Sequence, residues 1–305
     1  MTADRLPSWR PGATRDSIVE FLDRIDDVPV EDRVAYFDND GTLWCERPSY
    51  VQLDFFVDAL EARVVENPDL GRRPEFAAVL SGDAGAMGDL GLERVAMALT
   101  GLFDGLAPQQ FTTAVRDFMN RAEHHGLSRP LRGVVYQPML ELLDELRRVG
   151  FAVGIVTGGG TEFVRAVSQD LYGVPPELVV GTLVTSAFVR DEHGRVGVRR
   201  TAGLLGDVNE GGAKVTNIQT QLGRRPIVAG GNSGGDREML EWACAGDRPG
   251  LAILIDHDDA DREYRYVSTA QTFEEAEPIT AVAERLGWTT VSMARDWSSI
   301  FPPVG

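Results

Sequence analysis

Apolar positions along this chain change period several times, and each change predicts an element. Ile18, Phe21, Leu22 and Ile25 recur at helical spacing and predict a helix ahead of the first strand. Residues 33–37 form a short apolar run and predict that strand. From about Val51 to about His125 the pattern is helical. Phe55, Phe56, Ala59 and Leu60 make one stripe, and Phe111, Ala114, Val115, Phe118 and Met119 make another. Gly- and Asp-rich breaks such as LSGDAGAMGDLG interrupt this stretch, so it reads as several helices whose aromatic stripes form a core of their own.

Beyond it the period alternates. Pro138 opens a helix with Met139, Leu142, Leu143, Leu146 and Val149 on one face, and Gly150 closes it, the expected placement of Pro and Gly. FAVGIV is a continuous apolar run of strand length, followed by TGGGTEF and a helix carrying Phe163, Val164, Val167 and Leu171. ELVVGTLV predicts another strand, and AFVRDEHGRVGVRR a hairpin turning at Glu192 to Gly194. Val215, Ile218 and Leu222 mark a short helix. PIVAGG and LAILID predict two strands, and a helix over 279–286 and a strand near TTVSM end the chain. Alternating strands and helices predict an α/β fold, a Rossmann-like parallel sheet covered by helices on both faces. In such sheets ligands bind at the carboxyl ends of the strands.

Composition narrows the function classes. The chain has 305 residues, with 30 Lys and Arg against 47 Asp and Glu, a net charge of -17. That balance excludes nucleic acid and an anionic membrane surface as the main partner. An anionic small molecule remains compatible, because a metal ion and a few local cations reverse the field inside a cleft. Two cysteines, Cys45 and Cys244, make neither a disulfide framework nor a zinc signature. A reducing, cytoplasmic setting is the simplest expectation. The opening residues MTADRLPSWRPGATRD contain no apolar core of a secretory signal, and no run approaches the length of a membrane span.

The polar residues at the strand ends carry the candidate chemistry. Asp38 and Asp40 follow the first strand. Thr157, Gly158 and Gly159 follow the second, Asn232, Ser233 and Asp236 follow PIVAG, and Lys214 opens a helix shortly before it. A carboxylate at Asp38 can attack phosphorus. Asp40, placed past it at a glycine turn, can protonate a leaving oxygen and then deprotonate water. Thr157 and the glycines after it can meet phosphoryl oxygens, and Lys214 supplies a positive charge for the phosphate and for Asp38. Asp38, a backbone carbonyl, Asn232 and Asp236 are hard oxygen donors of the kind Mg²⁺ takes.

DNDGT, IVTGGG, GGAK and GGNSGGD, in that order, resemble the four motifs of the haloacid dehalogenase superfamily, and most of all its phosphoserine-phosphatase-like branch. The resemblance covers nearly the whole chain. It implies a core made of residues 1–44 and 136–305, with residues 45–135 as an inserted helical cap. It implies Asp38 as a nucleophile that forms an aspartyl-phosphate and Asp40 as the acid and base, with the Asp40 backbone carbonyl also on Mg²⁺. Thr157, Gly158 and Lys214 then bind phosphate, and Asn232 and Asp236 stand for the metal-binding acidic pair. The first position of that pair is commonly Asp in the family and is Asn232 here, so either Asn232 or Asp236 is the direct ligand. An Asp at position 40 suits departure of an alkoxide. Dehalogenases need no acid there, phosphonatases usually carry a small residue and P-type ATPases a Thr.

The implied activity is Mg²⁺-dependent hydrolysis of a small phosphorylated metabolite such as phosphoserine. The alternatives are a phosphotransferase or phosphomutase using the same intermediate, and a non-catalytic phosphometabolite-binding protein. Glu46 and Arg47 stand where the chain leaves the core, either lining the substrate cleft or forming a surface ion pair. Asp256, His257, Asp258, Asp259 and Asp261 read as a solvated acidic loop rather than a second metal site. His124 and His125 read as cations at a helix end, and Cys45 as a structural thiol.

Overall fold

The computed structural model describes residues 5–303; residues 1–4 and 304–305, the outer ends of the expected core segments, lie outside it. Its centre is a seven-stranded sheet in the order β4-β3-β2-β1-β5-β6-β7. The strands are β1 (Val34–Phe37), β2 (Ala152–Gly160), β3 (Val179–Arg190), β4 (Val196–Leu205), β5 (Val228–Gly231), β6 (Leu251–Asp256) and β7 (Thr289–Ser292). Six of them run parallel, and β4 returns antiparallel to β3.

Strand β1 is central and all four of its residues are buried, because both faces of the sheet are covered. Ala35 and Phe37 join a core with α1 (Ala13–Asp23), α7 (Gln137–Arg148) and α8 (Thr161–Tyr172). Val34 and Tyr36, on the alternate face, join one with α9 (Gly212–Leu222) and α10 (Arg237–Cys244). Register decides where the polar ends emerge. Phe37 stands opposite Ile155 on one side and Gly230 on the other. The residues that follow on β1 and β5 therefore leave the sheet at one edge, beside β2, which runs on past them.

Between β1 and β2 the chain makes α2 (Val51–Glu66), α3 (Pro74–Ser81), α4 (Ala84–Leu90), α5 (Leu92–Gly101) and α6 (Pro108–Arg121). Their aromatic stripes do pack together. Phe55 meets Phe103, Phe111 and Phe118 at centroid distances of 5.0, 5.7 and 5.5 Å. The cluster does not stay within these helices, however, since Phe55 also meets Phe163 of α8 at 5.4 Å. The hairpin expected to turn at Glu192 to Gly194 is formed, since β3 and β4 pair antiparallel across a turn at 191–195. The strand expected over 177–184 runs without a break into its first arm, so the two make one long strand, β3, whose first half is buried and whose second half pairs only with β4. That ribbon reaches the inserted helices: Arg200 N–H donates to Leu106 O and Gly105 N–H to Arg200 O, both at 2.9 Å. The chain closes with α11 (Ile279–Leu286) and the short α12 (Met293–Asp296) on either side of β7. No helix among the described residues is long and apolar enough to cross a membrane.

Candidate active site

Asp38 N–H still donates to Gly230 O at 2.9 Å, so Asp38 continues the sheet before the chain turns. The turn is held by the Asn39 carbonyl, which accepts from the N–H groups of Thr42, Leu43 and Trp44 at 3.3, 2.8 and 3.2 Å. Gly41 sits at φ +74°, and a Cβ there would come within 2.0 Å of the Asn232 amide nitrogen. Only glycine suits both the backbone and the space.

Five buried polar residues, Asp38, Thr157, Lys214, Asn232 and Asp236, gather over this edge. Lys214 Nζ donates to Asp38 Oδ1 and to Asp236 Oδ1, each at 2.6 Å. The second Asp236 oxygen accepts from Asn232 N–H and Ser233 N–H, both at 3.0 Å, and from Ser233 Oγ at 3.2 Å. Asp236 is thus committed to Lys214 and to its own turn. Asp40 is held through Oδ1 by Trp44 Nε1 at 2.8 Å and through Oδ2 by Thr157 Oγ1 at 3.4 Å. Strand β2 runs on through the glycines with a register shift, so Thr157 lies within it rather than after it. Gly158 O accepts from Thr182 Oγ1 at 2.7 Å. Gly159 N–H donates to Thr157 Oγ1 at 3.0 Å, and Gly160 N–H to Gln52 Oε1 of α2 at 2.8 Å.

The charges are unbalanced. Asp38, Glu46 and Asp236 are buried, Asp40 is nearly so, and Lys214 is the cation bonded among them. Burial drives the Asp38 carboxyl well above the usual range, with Asp236 and Asp40 adding to it and Lys214 opposing. Asp40 is pushed up to about 6, again mainly by burial. For Lys214, burial alone lowers the pKa, but the two carboxylates outweigh it and hold the ammonium charged. A hard divalent cation fits this excess of oxygen donors and negative charge. Among the described residues no group of three or more His, Cys, Asp or Glu is arranged to hold a metal. A cation bound here would draw on an amide or carbonyl oxygen beside Asp38.

Asn232 brings in Glu46. Its Nδ2 donates to Glu46 Oε1 at 3.1 Å and to Ser268 Oγ at 2.8 Å, which turns Oδ1 toward Thr42. Glu46 is 6% exposed, so the surface ion pair is not formed. Arg47 instead lays its guanidinium 4.4 Å from the centre of the Tyr266 ring. Two further readings are corrected. The 256–261 segment is not a solvated loop: His257 and Asp259 are buried, and Asp258 accepts from Ala294 N–H at 2.9 Å. His124 lies beyond the end of α6. Its Nδ1 accepts from Gly126 and Leu127 N–H at 3.1 Å each, and Nε2–H donates to Arg47 O at 2.6 Å. Burial lowers its pKa, so it is a neutral strut and not a helix-end cation. Cys45 is buried, donates to Glu263 Oε1 at 2.9 Å and has its pKa raised by burial, as a structural thiol should.

Sequence reasoning passed over Gln52, Asn209 and Ser268. Asn209 is fully buried and its Nδ2 donates to Thr157 O at 2.9 Å. None of the three stands in a motif, and only folding brings them to the site.

A family model described as haloacid dehalogenase-like hydrolase matches residues 35–241, a span that holds all four polar groupings. The chain belongs to the haloacid dehalogenase-like hydrolase family. No curated protein matches it. Among solved structures it is similar to a protein of unknown function from Bordetella pertussis Tohama I. The identity is 17%, with 85% of this chain and 97% of that one covered and a TM-score of 0.50. It is also similar to a conserved protein of unknown function from Anaerococcus prevotii DSM 20548, at 13% identity, 84% and 91% coverage and a TM-score of 0.52. A probable phosphoserine phosphatase from Vibrio cholerae matches at 16% identity, 85% and 69% coverage and a TM-score of 0.43. At these identities the likeness concerns the fold. Within the haloacid dehalogenase-like frame, chemistry has to be argued from the residues themselves.

Proposed function

We propose that this hydrolase is a Mg²⁺-dependent phosphatase that cleaves a small phosphomonoester through an aspartyl-phosphate on Asp38, in the manner of the phosphoserine-phosphatase-like branch. The observation that carries the reading is the pairing of two unlike carboxylates. Asp38 is bound to an ammonium through one oxygen only, while Asp40 is poised near neutrality on a tryptophan N–H. The free oxygen of Asp38 attacks phosphorus, and the ester P–O bond breaks as Asp40 gives its proton to the leaving alkoxide. Asp40 then takes a proton from water, which attacks the same phosphorus and releases phosphate and the Asp38 carboxylate. Lys214 holds Asp38 in place and offsets charge on the phosphoryl oxygens; Thr157 and Gly158 line the same edge. Asp38, the Asp40 carbonyl oxygen and Asn232 would hold the Mg²⁺, with Asp236 acting through Lys214. When bound, the ion neutralises phosphoryl charge.

In this reading residues 45–135 act as a cap over the core of 1–44 and 136–305. Gln52 and the Phe55–Phe163 contact close it over the strand ends and exclude water before attack. The protein works in the cytoplasm. The Asn232 amide favours a second reading, a phosphometabolite-binding protein without turnover, because that position brings no charge of its own.

Phosphate release from a panel of phosphomonoesters, phosphoserine included, with Mg²⁺ or EDTA, tests both. Metal-dependent release that Asp38→Asn abolishes supports the phosphatase. Tight binding of phosphate analogues with no release supports the second reading. Phosphate release that falls when an acceptor alcohol is added, with the phosphoryl group recovered as an ester of that alcohol, points instead to a phosphotransferase.

A further inference from the structure

Strand β6 ends at Asp256, and the next residue turns back beneath the motif turn. His257 is 2% exposed. Its Nε2 lies 2.8 Å from Gly41 O, the carbonyl that directly follows Asp40. Its Nδ1 lies 3.4 Å from Glu263 Oε2. Glu263 is buried as well, and every other partner it has is a donor. Cys45 Sγ–H and Tyr136 O–H give to Oε1 at 2.9 and 3.0 Å, and Tyr264 N–H gives to Oε2 at 2.5 Å. Donors other than His257 thus reach both of its oxygens, the arrangement that an ionised carboxylate takes.

The donor count on His257 follows. A backbone carbonyl can only accept, and an ionised carboxylate can only accept. Both ring nitrogens face such acceptors, so both must carry hydrogen. The surroundings suit a cation. The Tyr266 ring stacks on the imidazole at 4.3 Å. Asp256 adds a negative neighbour, while Tyr136 and Cys45 turn their protons toward Glu263.

We propose that His257 is a buried imidazolium that acts as a positioning residue: it anchors the Gly41 carbonyl and so sets the turn that aims Asp40, with Glu263 as its counter-ion. This deepens the phosphatase reading and rests on it for the consequence on rate. His257 also places one positive charge behind an edge where four carboxylates meet a single bonded lysine. The Glu263 end of the chain reaches Cys45, where the polypeptide leaves the sheet for α2. The anchor therefore joins the motif turn to the start of the insertion.

The test combines a spectroscopic and a kinetic measurement on the full chain. A ¹⁵N spectrum of the histidine rings is recorded at about pH 8, where an ordinary exposed histidine is neutral, and His257→Gln assigns the resonance. Two protonated ring nitrogens are expected, and a neutral tautomer overturns the proposal. Glutamine can still present one N–H to Gly41 O, whereas leucine cannot. His257→Leu, folded by circular dichroism, should lose about 100-fold in kcat with KM within about threefold. His257→Gln should recover at least about tenfold of that loss. Wild-type kcat in folded His257→Leu, or no recovery with glutamine, overturns the proposal. If the leucine variant does not fold, the ring spectrum and the glutamine variant decide. If the wild type releases no phosphate from any ester, the phosphatase reading fails while the ring spectrum still judges His257.

Discussion

Asp40 answers to two demands at once. Burial lifts its pKa to about 6, against about 4 in an unfolded chain, so the native state holds the proton more tightly. That contribution to stability is present below about pH 4 and is lost as pH rises through about 6, above which a charged Asp40 costs about 3 kcal/mol. Asp40→Asn keeps an oxygen for Trp44 and removes the charge. In EDTA it should therefore be more stable than the wild type at about pH 8 by ~2–3 kcal/mol, and should match it near pH 4. Urea unfolding at the two pH values checks this. Asn232 carries the opposite lesson. By sequence alone an Asp at this position only adds metal-binding charge. In the structure its amide donates to Glu46, so Asn232→Asp sets two buried carboxylates against each other. A loss of ~3 kcal/mol in metal-free protein is expected. Adding Glu46→Gln should recover most of it, because the new amide can donate to the new carboxylate. Melts of the single and double variants in EDTA decide.

At the scale of elements, the helices between β1 and β2 are joined to the sheet layer through aromatic rings. Phe55 is 2% exposed and sits among Phe103, Phe111, Phe118 and Phe163. Truncating it leaves a cavity that the surrounding rings fill poorly, so Phe55→Ala should lower unfolding free energy by ~3–5 kcal/mol. Guanidinium unfolding of the two proteins measures it. The aromatic stripes were legible in sequence because helical spacing puts Phe111, Val115, Phe118 and Met119 on one face. That their cluster extends to Phe163 was not, since nothing local records which helix a stripe will meet. The single long β3 was missed for a similar reason. Its outer half is the first arm of the expected hairpin with β4, and only the tertiary pairing shows that this arm continues the buried strand before it.

For the whole molecule, the net charge of -17 is matched by a local excess of carboxylates at the edge of the sheet, where Asp38 and Asp236 share one buried lysine. A divalent ion that binds there stabilises only the native state. Millimolar Mg²⁺ should raise Tm by roughly 2–5 °C, NaCl at equal ionic strength should not, and Asp38→Asn should remove most of the rise. Differential scanning fluorimetry reads all three.

The alternation of strands and helices, the order of the four polar groupings and the strand-end positions of Asp38 and Asn232 are written along the chain. Each depends on near neighbours: a period, a terminating glycine, an Asp two residues from another. Parallel pairing then needs only the register of Phe37 with Ile155 and Gly230 to bring the groupings to one edge. What the chain did not reveal is which polar groups pair across it. Glu46 with Asn232, His257 with Gly41 and Gln52 with Gly160 are separated by 186, 216 and 108 residues. A buried polar group must find a partner wherever packing delivers one, and packing is a property of the assembled layers. For that reason the acidic 256–261 segment read as solvated loop until the fold set its histidine beneath the turn that follows Asp38.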